Sequence, residues 1–327
     1  MANISTRFFG LNLKSPVIAA SSSMTGHADQ ILKLAEAGAG AVVLKSIFEE
    51  EIYAELQEEL SLRDDLHSDP EYLDYFDYVI KDENIKKYLK LIAEVKAKTS
   101  VPLVASINCV TSSDWVLFAR KIEEAGADAL ELNMFVYPDS EKYGENSDLV
   151  YFETISKILQ VVKLPVTVKI SPYFSNLPGF VKQLSKTGIA GITIFNRFYS
   201  PDIDVQSQTV GMADVLSSPS DYILPLRWTG ILSGKIDCDL AATTGIHTTE
   251  IALKFILAGA SAVQVASVLY HDGPAAISKM NQEISDWMDK KGYASLDEFK
   301  GSLSQKNSSV QGWERVQFMK YFGGKTF

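Results

Sequence analysis

Two lysines and two asparagines each stand directly after a short run of apolar residues. Lys45 and Lys169 close two such runs, and Asn133 and Asn196 close two others. If the runs are parallel strands of one barrel, these side chains meet at the mouth formed by the carboxyl ends of the strands. Two ammonium groups held close together lose hydration and repel each other unless an anion binds between them. The pattern therefore predicts a site for an anionic ligand, such as a phosphorylated cofactor or substrate.

Small or polar residues follow the remaining runs as well. A lone asparagine or serine at a strand end is more often a loop cap than a ligand, but a whole set at one rim favours a functional site. The segments after the last two runs, Thr244-Gly245 and Ala266-Ser267, precede helix starts, which is the usual phosphate-binding arrangement of barrel enzymes. The other rim residues are Ala20, Ser21, Ser46, Asn108, Cys109 and Arg197.

The elements that must position these residues are apolar runs that begin near residues 16, 41, 102, 128, 165, 190, 239 and 262. Continuous apolar runs are typical of parallel strands that are buried on both faces. The segments between them carry helical spacing, for example at Ile31, Leu34 and Ala35. Eight strand–helix units predict an α/β fold, a closed (β/α)8 barrel, which spans residues 1–327 as a single domain.

An open, doubly wound sheet is the competing architecture. Such a sheet usually has a glycine-rich turn after its first strand, where this chain has Ala20-Ser21-Ser22-Ser23. Two connections, 47–99 after strand two and 197–238 after strand six, are long enough to form loops over the mouth. Scattered aromatic residues in the segment 302–327 predict a tail that packs on the barrel or on a partner subunit.

The charge balance and the residue counts disfavour several classes of function. A net charge of −10 disfavours binding to nucleic acid. No apolar run reaches the ~20 residues that span a bilayer. Residues 1–10 do not resemble a signal peptide, so we expect a cytoplasmic protein that binds no membrane. Two cysteines and four histidines show no metal-ligand spacing, so we expect no metal site, and the cysteines are too few to ligate an iron–sulfur cluster.

From Phe9 to about Gly301 the chain resembles the dihydroorotate dehydrogenase family. The order and spacing of several stretches carry the resemblance: Lys45-Ser46, Glu131-Leu132-Asn133, Val168–Phe174, Ala258–Tyr270 and Gly292–Gly301. It implies a class 1-like, FMN-binding barrel of pyrimidine biosynthesis that forms a homodimer.

The resemblance also implies how FMN would be held. The backbone at Ala20-Ser21 would lie near the flavin ring, and backbone N–H groups around the two phosphate segments would hold the phosphate, although relatives usually have Gly-Gly and Gly-Thr or Gly-Ser there. A cation beside the N1–C2=O edge of the flavin stabilises the anionic reduced ring. The residues implied as cofactor ligands are Ala20, Ser21, Lys45, Ser46, Asn133, Lys169, Thr244, Gly245, Ala266 and Ser267.

The catalytic base is where this chain departs from the family. The family reaction removes a proton from a dihydropyrimidine while a hydride passes to FMN, and relatives carry Asn-x-Ser-Cys-Pro-Asn, or Ser in place of Cys, after strand four. This chain has Asn133-Met134-Phe135-Val136-Tyr137-Pro138-Asp139, which is longer by one residue and places Tyr137 beside the proline. The candidates for the catalytic set are Tyr137, Cys109 and the cation Lys45.

The substrate half of the resemblance is weaker than the cofactor half. The family's Asn-Ser-x-Gly-Leu-Pro-Asn loop has no counterpart between residues 48 and 78. The candidate substrate ligands are Asn108, Asn196, Arg197 and Asp139, and Arg197 is suited to clamp a carboxylate. We expect an FMN-dependent oxidoreductase that acts on dihydroorotate or on a related cyclic or carboxylated compound.

Two alternatives stay open at this point. An aldolase-like barrel would use Lys169 or Lys45 to form a Schiff base with a carbonyl substrate. A non-catalytic FMN-binding protein or partner subunit would explain the missing Cys or Ser base and the missing loop. The electron acceptor, whether fumarate, a quinone or a partner protein, is not fixed by the sequence.

Overall fold

Parallel strands alternate with helices along most of the chain. The computed structural model describes residues 2–48, 70–108, 112–136, 148–197, 200–308 and 313. The strands are β1 (Thr6–Phe8), β2 (Leu11–Leu13), β3 (Val17–Ala19), β4 (Val42–Val43), β5 (Ile47–Phe48), β6 (Leu103–Asn108), β7 (Ala129–Asn133), β8 (Val166–Ile170), β9 (Gly191–Ile194), β10 (Pro201–Asp204), β11 (Thr209–Met212), β12 (Asp239–Thr243) and β13 (Ala262–Val265). The α-helices are α1 (Ala28–Glu36), α2 (Pro70–Lys98), α3 (Ser112–Glu124), α4 (Leu149–Leu159), α5 (Leu177–Leu184), α6 (Ile223–Leu232), α7 (Thr249–Ala258), α8 (Ser267–Asp272) and α9 (Ala275–Lys291).

The parallel strands close into a cylinder. Around it the order is β3, β4, β6, β7, β8, β9, β12 and β13, and β13 is hydrogen-bonded to β3 again. Both β4 and β5 pair with β6, so these two short strands are pieces of one broken strand. The predicted (β/α)8 barrel is confirmed. The open doubly wound sheet is wrong, because the first and last strands of an open sheet would not pair with each other.

The helices cover the outside of the barrel with their apolar faces. Ile31, Leu34 and Ala35 of α1 are buried, as their spacing predicts. Helix α7 begins at a capping residue, Thr248, whose hydroxyl accepts a hydrogen bond from the N–H of Ile251. It ends at Gly259, which has a φ of 116° that favours glycine, and the chain then turns directly into β13.

A hairpin closes the end of the barrel opposite the mouth. Strands β1 and β2 pair antiparallel, and the side chains of Phe8 and Phe9 are fully buried. The two rings pack among small residues at the amino ends of the strands, such as Ala129 and Ala262. A Cβ added to Gly191 would lie 3.2 Å from the Phe8 ring, so the lack of a side chain there makes room for this ring. We call the two buried rings, Phe8 and Phe9, the plug. The lower half of the barrel is therefore a dry, apolar core.

The two long connections carry structure of their own. The first contains β5 and α2, and residues 49–69 between them lie outside the described part of the chain. The second contains the antiparallel hairpin β10–β11, in which Ile203 pairs with Val210, followed by α6. Ile203 and Val210 are both exposed. Among the described helices, none combines the length and the apolar character needed to cross a membrane.

The start of the predicted tail runs along the outer helices. The N–H of Leu303 donates to the carbonyl of Leu257, and the N–H of Gln305 donates to that of Gly230, both at 2.9 Å. The indole N–H of Trp313 donates to the carbonyl of Leu303. Residues 309–312 and 314–327 lie outside the described part, so packing of the whole tail stays a prediction.

Truncation of the plug should lower stability. We expect Phe8→Ala to reduce the free energy of unfolding by about 3–5 kcal/mol, because a fully buried ring leaves a cavity inside a closed barrel. Urea unfolding followed by circular dichroism measures the change. Leu117→Ala, at an exposed position on α3, is the matched control and should cost less than about 1 kcal/mol. Equal losses in the two variants would contradict the role of the plug.

Candidate functional site

The strand ends at the mouth bring three of the predicted residues together. Asn133 ends β7 and lies in register with Lys169 of β8, and both side chains are more than 90% buried. The side-chain N–H of Asn196, which follows β9, donates to Oδ1 of Asn133. A buried ammonium and two amides therefore face one another at the mouth. This is a donor set for carbonyl and other oxygen acceptors of a ligand.

A polar layer lies directly beneath these residues, at positions that are not among the predicted rim residues. Glu131 is fully buried inside the barrel, two residues before Asn133. Its Oε2 accepts hydrogen bonds from Nε2 of Gln264 at 2.6 Å and from the hydroxyl of Thr193 at 3.2 Å. Its Oε1 lies 4.0 Å from Nζ of Lys169. The sequence does carry a signal for this polar layer, because a glutamate and a glutamine interrupt strands that are otherwise apolar.

The break between β4 and β5 shapes the first side of the mouth. The N–H of Lys45 donates to the carbonyl of Thr25, and the N–H of Ser46 donates to the hydroxyl of Ser21 at 3.0 Å. The side chain of Lys45 is exposed, and a Cβ added to Gly26 would lie 3.8 Å from its stem. Because the N–H groups of Lys45 and Ser46 bond to Thr25 and Ser21 and not to the backbone of β6, Lys45 projects at the rim while Ser46 turns inward.

Hydroxyl groups connect this side of the mouth to the barrel interior. The hydroxyls of Ser21 and Ser46 are 3.1 Å apart, and those of Ser46 and Ser106 are 2.6 Å apart. The hydroxyl of Tyr88, from α2, accepts from the N–H of Ser106 and donates to its carbonyl. Burial raises the pKa of Tyr88, and the negative charge of Glu131 raises it further, so the phenol stays protonated. Half-buried Asn108 lies beside this group at the end of β6.

The predicted phosphate segments form a tight turn at the other side of the mouth. Thr244 has a φ of 79° and Gly245 a φ of 73°. A Cβ added to Gly245 would lie 2.3 Å from the backbone nitrogen of Tyr222, and only glycine avoids this clash. Ala266 has a φ of −131°, which is negative, so the position does not require the glycine that relatives carry. The hydroxyl of Ser267 accepts from the N–H of Ser217 at 2.9 Å.

Arg197 lies against the protein's own backbone. Its Nη1 donates to the carbonyls of Asp214 and Val215, and its Nε is 3.5 Å from the carboxylate of Asp221. Burial works to raise the pKa of Asp221, but hydrogen bonds from Ser218 and the charge of Arg197 outweigh it and lower the pKa. The guanidinium thus ties down the segment that follows the hairpin, and these contacts occupy the groups that a substrate clamp would need.

Three predicted residues lie outside the described part of the chain: Tyr137, Asp139 and Cys109. The segment leading to Tyr137 is placed as far as Val136, whose N–H donates to the hydroxyl of Tyr151 at 3.2 Å. Burial raises the pKa of Tyr151 to about 12, so this phenol is a hydrogen-bond acceptor and not a base at neutral pH. Within the described ranges, no group of three or more His, Cys, Asp or Glu side chains could hold a metal ion.

Comparisons with known proteins agree with this geometry. The family model described as dihydroorotate dehydrogenase matches residues 77–288, more than half of the chain. The catalytic subunit of dihydroorotate dehydrogenase B (NAD(+)) from Thermoplasma volcanium is 27% identical over 315 residues, which cover 92% of this chain and 98% of the relative. The corresponding subunit from Pyrococcus abyssi is 26% identical, with 91% and 98% covered. A putative dihydroorotate dehydrogenase A (fumarate) from Aeropyrum pernix is 26% identical over 65% of this chain and 71% of its own length.

Substitution of Gly245 tests whether the turn at Thr244-Gly245 helps to bind FMN. We expect Gly245→Ala to weaken FMN binding at least about tenfold, because a Cβ at a φ of 73° and 2.3 Å from Tyr222 forces the turn open. The flavin-to-protein ratio after desalting, and titration of the apoprotein with FMN, measure the loss. Gly126→Ala is the matched control, since Gly126 also has a positive φ, of 89°, but precedes the amino end of β7, and a Cβ there would meet no atom within 4 Å. Full flavin retention in Gly245→Ala would contradict the placement of the phosphate.

Proposed function

Because the chain belongs to the dihydroorotate dehydrogenase family, whose members are FMN-dependent oxidoreductases acting on CH–CH groups, we propose that it oxidises dihydroorotate or a related cyclic or carboxylated compound. The observation that carries the proposal is the meeting of buried Lys169 with the Asn133–Asn196 pair at one barrel mouth. Such a set provides several hydrogen-bond donors and one positive charge in a site shielded from water. It suits a flat, carbonyl-rich ligand with delocalised negative charge.

The residues at the mouth fit FMN. Lys169 is buried with its ammonium at the level of the ligand-binding amides, and Gly245 lets the turn at Thr244-Gly245 pack closely against the backbone of Tyr222. When bound, FMN accepts the hydride at its N5 position. Lys169 and Lys45 would stabilise negative charge on the ring, and backbone N–H groups at Gly245 and Ser267 would bind the phosphate. These positions follow the residues implied by the family resemblance.

The substrate would bind against the Asn133–Asn196 pair. Asn196 is half-buried and follows β9 at the mouth, and Asn108 lies across the opening at the end of β6. Their amides can donate to substrate carbonyl groups and accept from ring N–H groups. Since Arg197 is engaged by the segment 214–221, recognition of the substrate falls to these amides.

The Schiff-base alternative finds no support in the environment of Lys169. Nζ of Lys169 donates to Oε1 of Gln264 at 3.3 Å and lies 4.0 Å from the carboxylate of Glu131. An amine that attacks a carbonyl needs its lone pair free and its approach open. Acceptors on two sides suit a hydrogen-bond donor that holds a ligand in place.

Electrons would leave through a second protein. Two relatives are named as catalytic subunits with NAD(+) as acceptor, and two cysteines in this chain cannot ligate an iron–sulfur cluster. We therefore propose that the chain is the catalytic subunit of an assembly that reduces NAD+. Turnover with NAD+ by the purified chain alone would contradict this, and turnover with fumarate would indicate the acceptor named for the relative from Aeropyrum pernix.

We also propose that two copies of the chain form a homodimer. The hairpin β10–β11 exposes the side chains of Ile203, Val205, Val210 and Met212, and a two-stranded ribbon is marginally stable when nothing packs on it. A second copy would cover this apolar surface. A monomeric mass from light scattering of the purified chain would overturn the proposal.

Anaerobic reduction of the bound flavin is the first test of the substrate. We expect dihydroorotate to bleach the long-wavelength absorbance band of FMN, and Asn196→Ala to slow the bleaching at least about tenfold, because the substrate loses a buried hydrogen-bond partner. Stopped-flow absorbance measures both rates. Asn12→Ala, on the hairpin at the opposite end of the barrel, is the matched control and should behave as the wild type. A flavin-bound protein that does not bleach would rule out dihydroorotate and leave a related compound.

The identity of the base is tested by two variants of residues outside the described ranges. We propose that Tyr137, beside Pro138, removes the substrate proton, since it stands where relatives carry Cys or Ser. Tyr137→Phe is expected to slow flavin reduction by about 10²-fold or more without loss of FMN. Cys109→Ser is expected to change the rate less than about threefold. The opposite result, a slow Cys109→Ser and a normal Tyr137→Phe, would assign the base to the thiol.

A further inference from the structure

A carboxylate is buried inside the barrel beneath the flavin-binding side of the mouth. Glu131 has no exposed surface, and neither do its neighbours Thr193 and Thr167. A buried carboxylate is costly unless a cation and hydrogen-bond donors compensate for its lost hydration. Lys169, 8% exposed, provides the cation at 4.0 Å. The pair is held inside the scaffold and not at its surface, so solvent does not screen it strongly.

The hydrogen bonds around the pair fit its charged form. Gln264 bridges the two groups: its Oε1 accepts from Nζ of Lys169 at 3.3 Å, and its Nε2 donates to Oε2 of Glu131 at 2.6 Å. The hydroxyl of Thr193 donates to the same Oε2. An ionised carboxylate accepts only, which suits two donors on one oxygen, and Oε1 is left facing the ammonium. In a single orientation, the amide of Gln264 therefore forms a hydrogen bond with both Glu131 and Lys169.

The register of the strands fixes which way the ammonium faces. Glu131 is in register with Thr167, and Lys169 lies two residues further along β8, in register with Asn133. The carboxylate is therefore one layer deeper in the barrel than Lys169, and it attracts the ammonium from below. A ligand at the mouth meets the ammonium from above. Lys169 is thus shared between an anion of the protein and the ligand.

We propose that Glu131 is a positioning residue that acts through Lys169: it fixes the ammonium beneath the flavin and offsets part of its positive charge. This inference rests on the proposed placement of the flavin beside Lys169. A lone ammonium would stabilise the anionic reduced ring strongly and hold its electrons. The paired carboxylate weakens that effect, so the reduced cofactor can pass electrons on.

Sulfite binding to the flavin tests the proposal, because the anion adds to N5 and bleaches the flavin, and positive charge near the N1–C2=O edge favours it. The holoenzyme variant Glu131→Gln keeps the size of the side chain and removes the charge. We expect it to bind sulfite about tenfold more tightly than the wild type, because an uncompensated charge acts strongly at short range in a buried site. The midpoint potential of the flavin should rise with it. Unchanged or weaker sulfite binding would overturn the proposal.

Two further variants separate this inference from the placement of the flavin. Lys169→Met should weaken sulfite binding; if it does not, the flavin does not lie beside Lys169, and the site assignment fails with the inference. In the Lys169→Met background, Glu131→Gln should change sulfite binding less than about threefold, because the carboxylate acts through the ammonium. An equal tightening in both backgrounds would show that Glu131 acts independently of Lys169.

Thermal unfolding provides a readout that does not depend on the single Glu131→Gln variant. Lys169→Met leaves Glu131 buried without its cation, so the double variant Lys169→Met/Glu131→Gln is expected to melt higher than Lys169→Met alone. Glu94→Gln, which removes an exposed carboxylate from α2, is the charge-matched control and should alter neither sulfite binding nor the melting temperature measurably. A double variant that melts lower than Lys169→Met would contradict the ion pair.

Discussion

Closure of the barrel shields the inward-facing side chains from water, and the rest of the site depends on this constraint. Near the plug the interior is filled by Phe8 and Phe9 among alanines, which need no partners. Nearer the mouth the inward positions become polar, at Ser106, Glu131 and Gln264. The partners of these polar groups come from inside the protein: Glu131 accepts from Gln264 and Thr193, and the hydroxyl of Ser106 contacts that of Ser46. The interior polar layer therefore fixes the side chains above it before any ligand arrives.

The two lysines at the mouth differ because of how their strands end. Lys169 stands in an intact strand and is buried above Glu131, so its ammonium has one direction left for a ligand. Lys45 stands in the break between β4 and β5, with its backbone bonded to Thr25 and its side chain exposed. The hydroxyls of Ser21, Ser46 and Ser106 hold that break in place without adding charge. One lysine is thus held from within the barrel, and the other is positioned by the break between two short strands.

The fold could be predicted from the sequence because strand order and period are local signals. All the predicted strands are present, and the polar residue that closes each run does lie at the mouth, since the carboxyl ends of parallel strands share one edge. Features that depend on contacts between residues distant in the sequence were not predicted. The break between β4 and β5 depends on hydrogen bonds from the N–H groups of Ser46 and Lys45 to Ser21 and Thr25. The pairing of Glu131 with Lys169 depends on the register between β7 and β8. Arg197 is a predicted substrate ligand from its position alone, and this stays a prediction; its partners in the structure come from residues 214–221 further along the chain.

The end of the mouth where we propose that the phosphate binds depends on the second long connection more than on the strands. Thr244 is β-branched and has a φ of 79°, a conformation that such a residue keeps only when its surroundings enforce it. Its hydroxyl donates to the carbonyl of Phe195, and the next residue, Gly245, is pressed against the backbone of Tyr222. The segment before Tyr222 is held in turn by Arg197 and by the contact of Ser217 with Ser267. Since the exposed hairpin β10–β11 continues directly into this segment, a partner that bound the hairpin would act on the same residues that shape the phosphate turn.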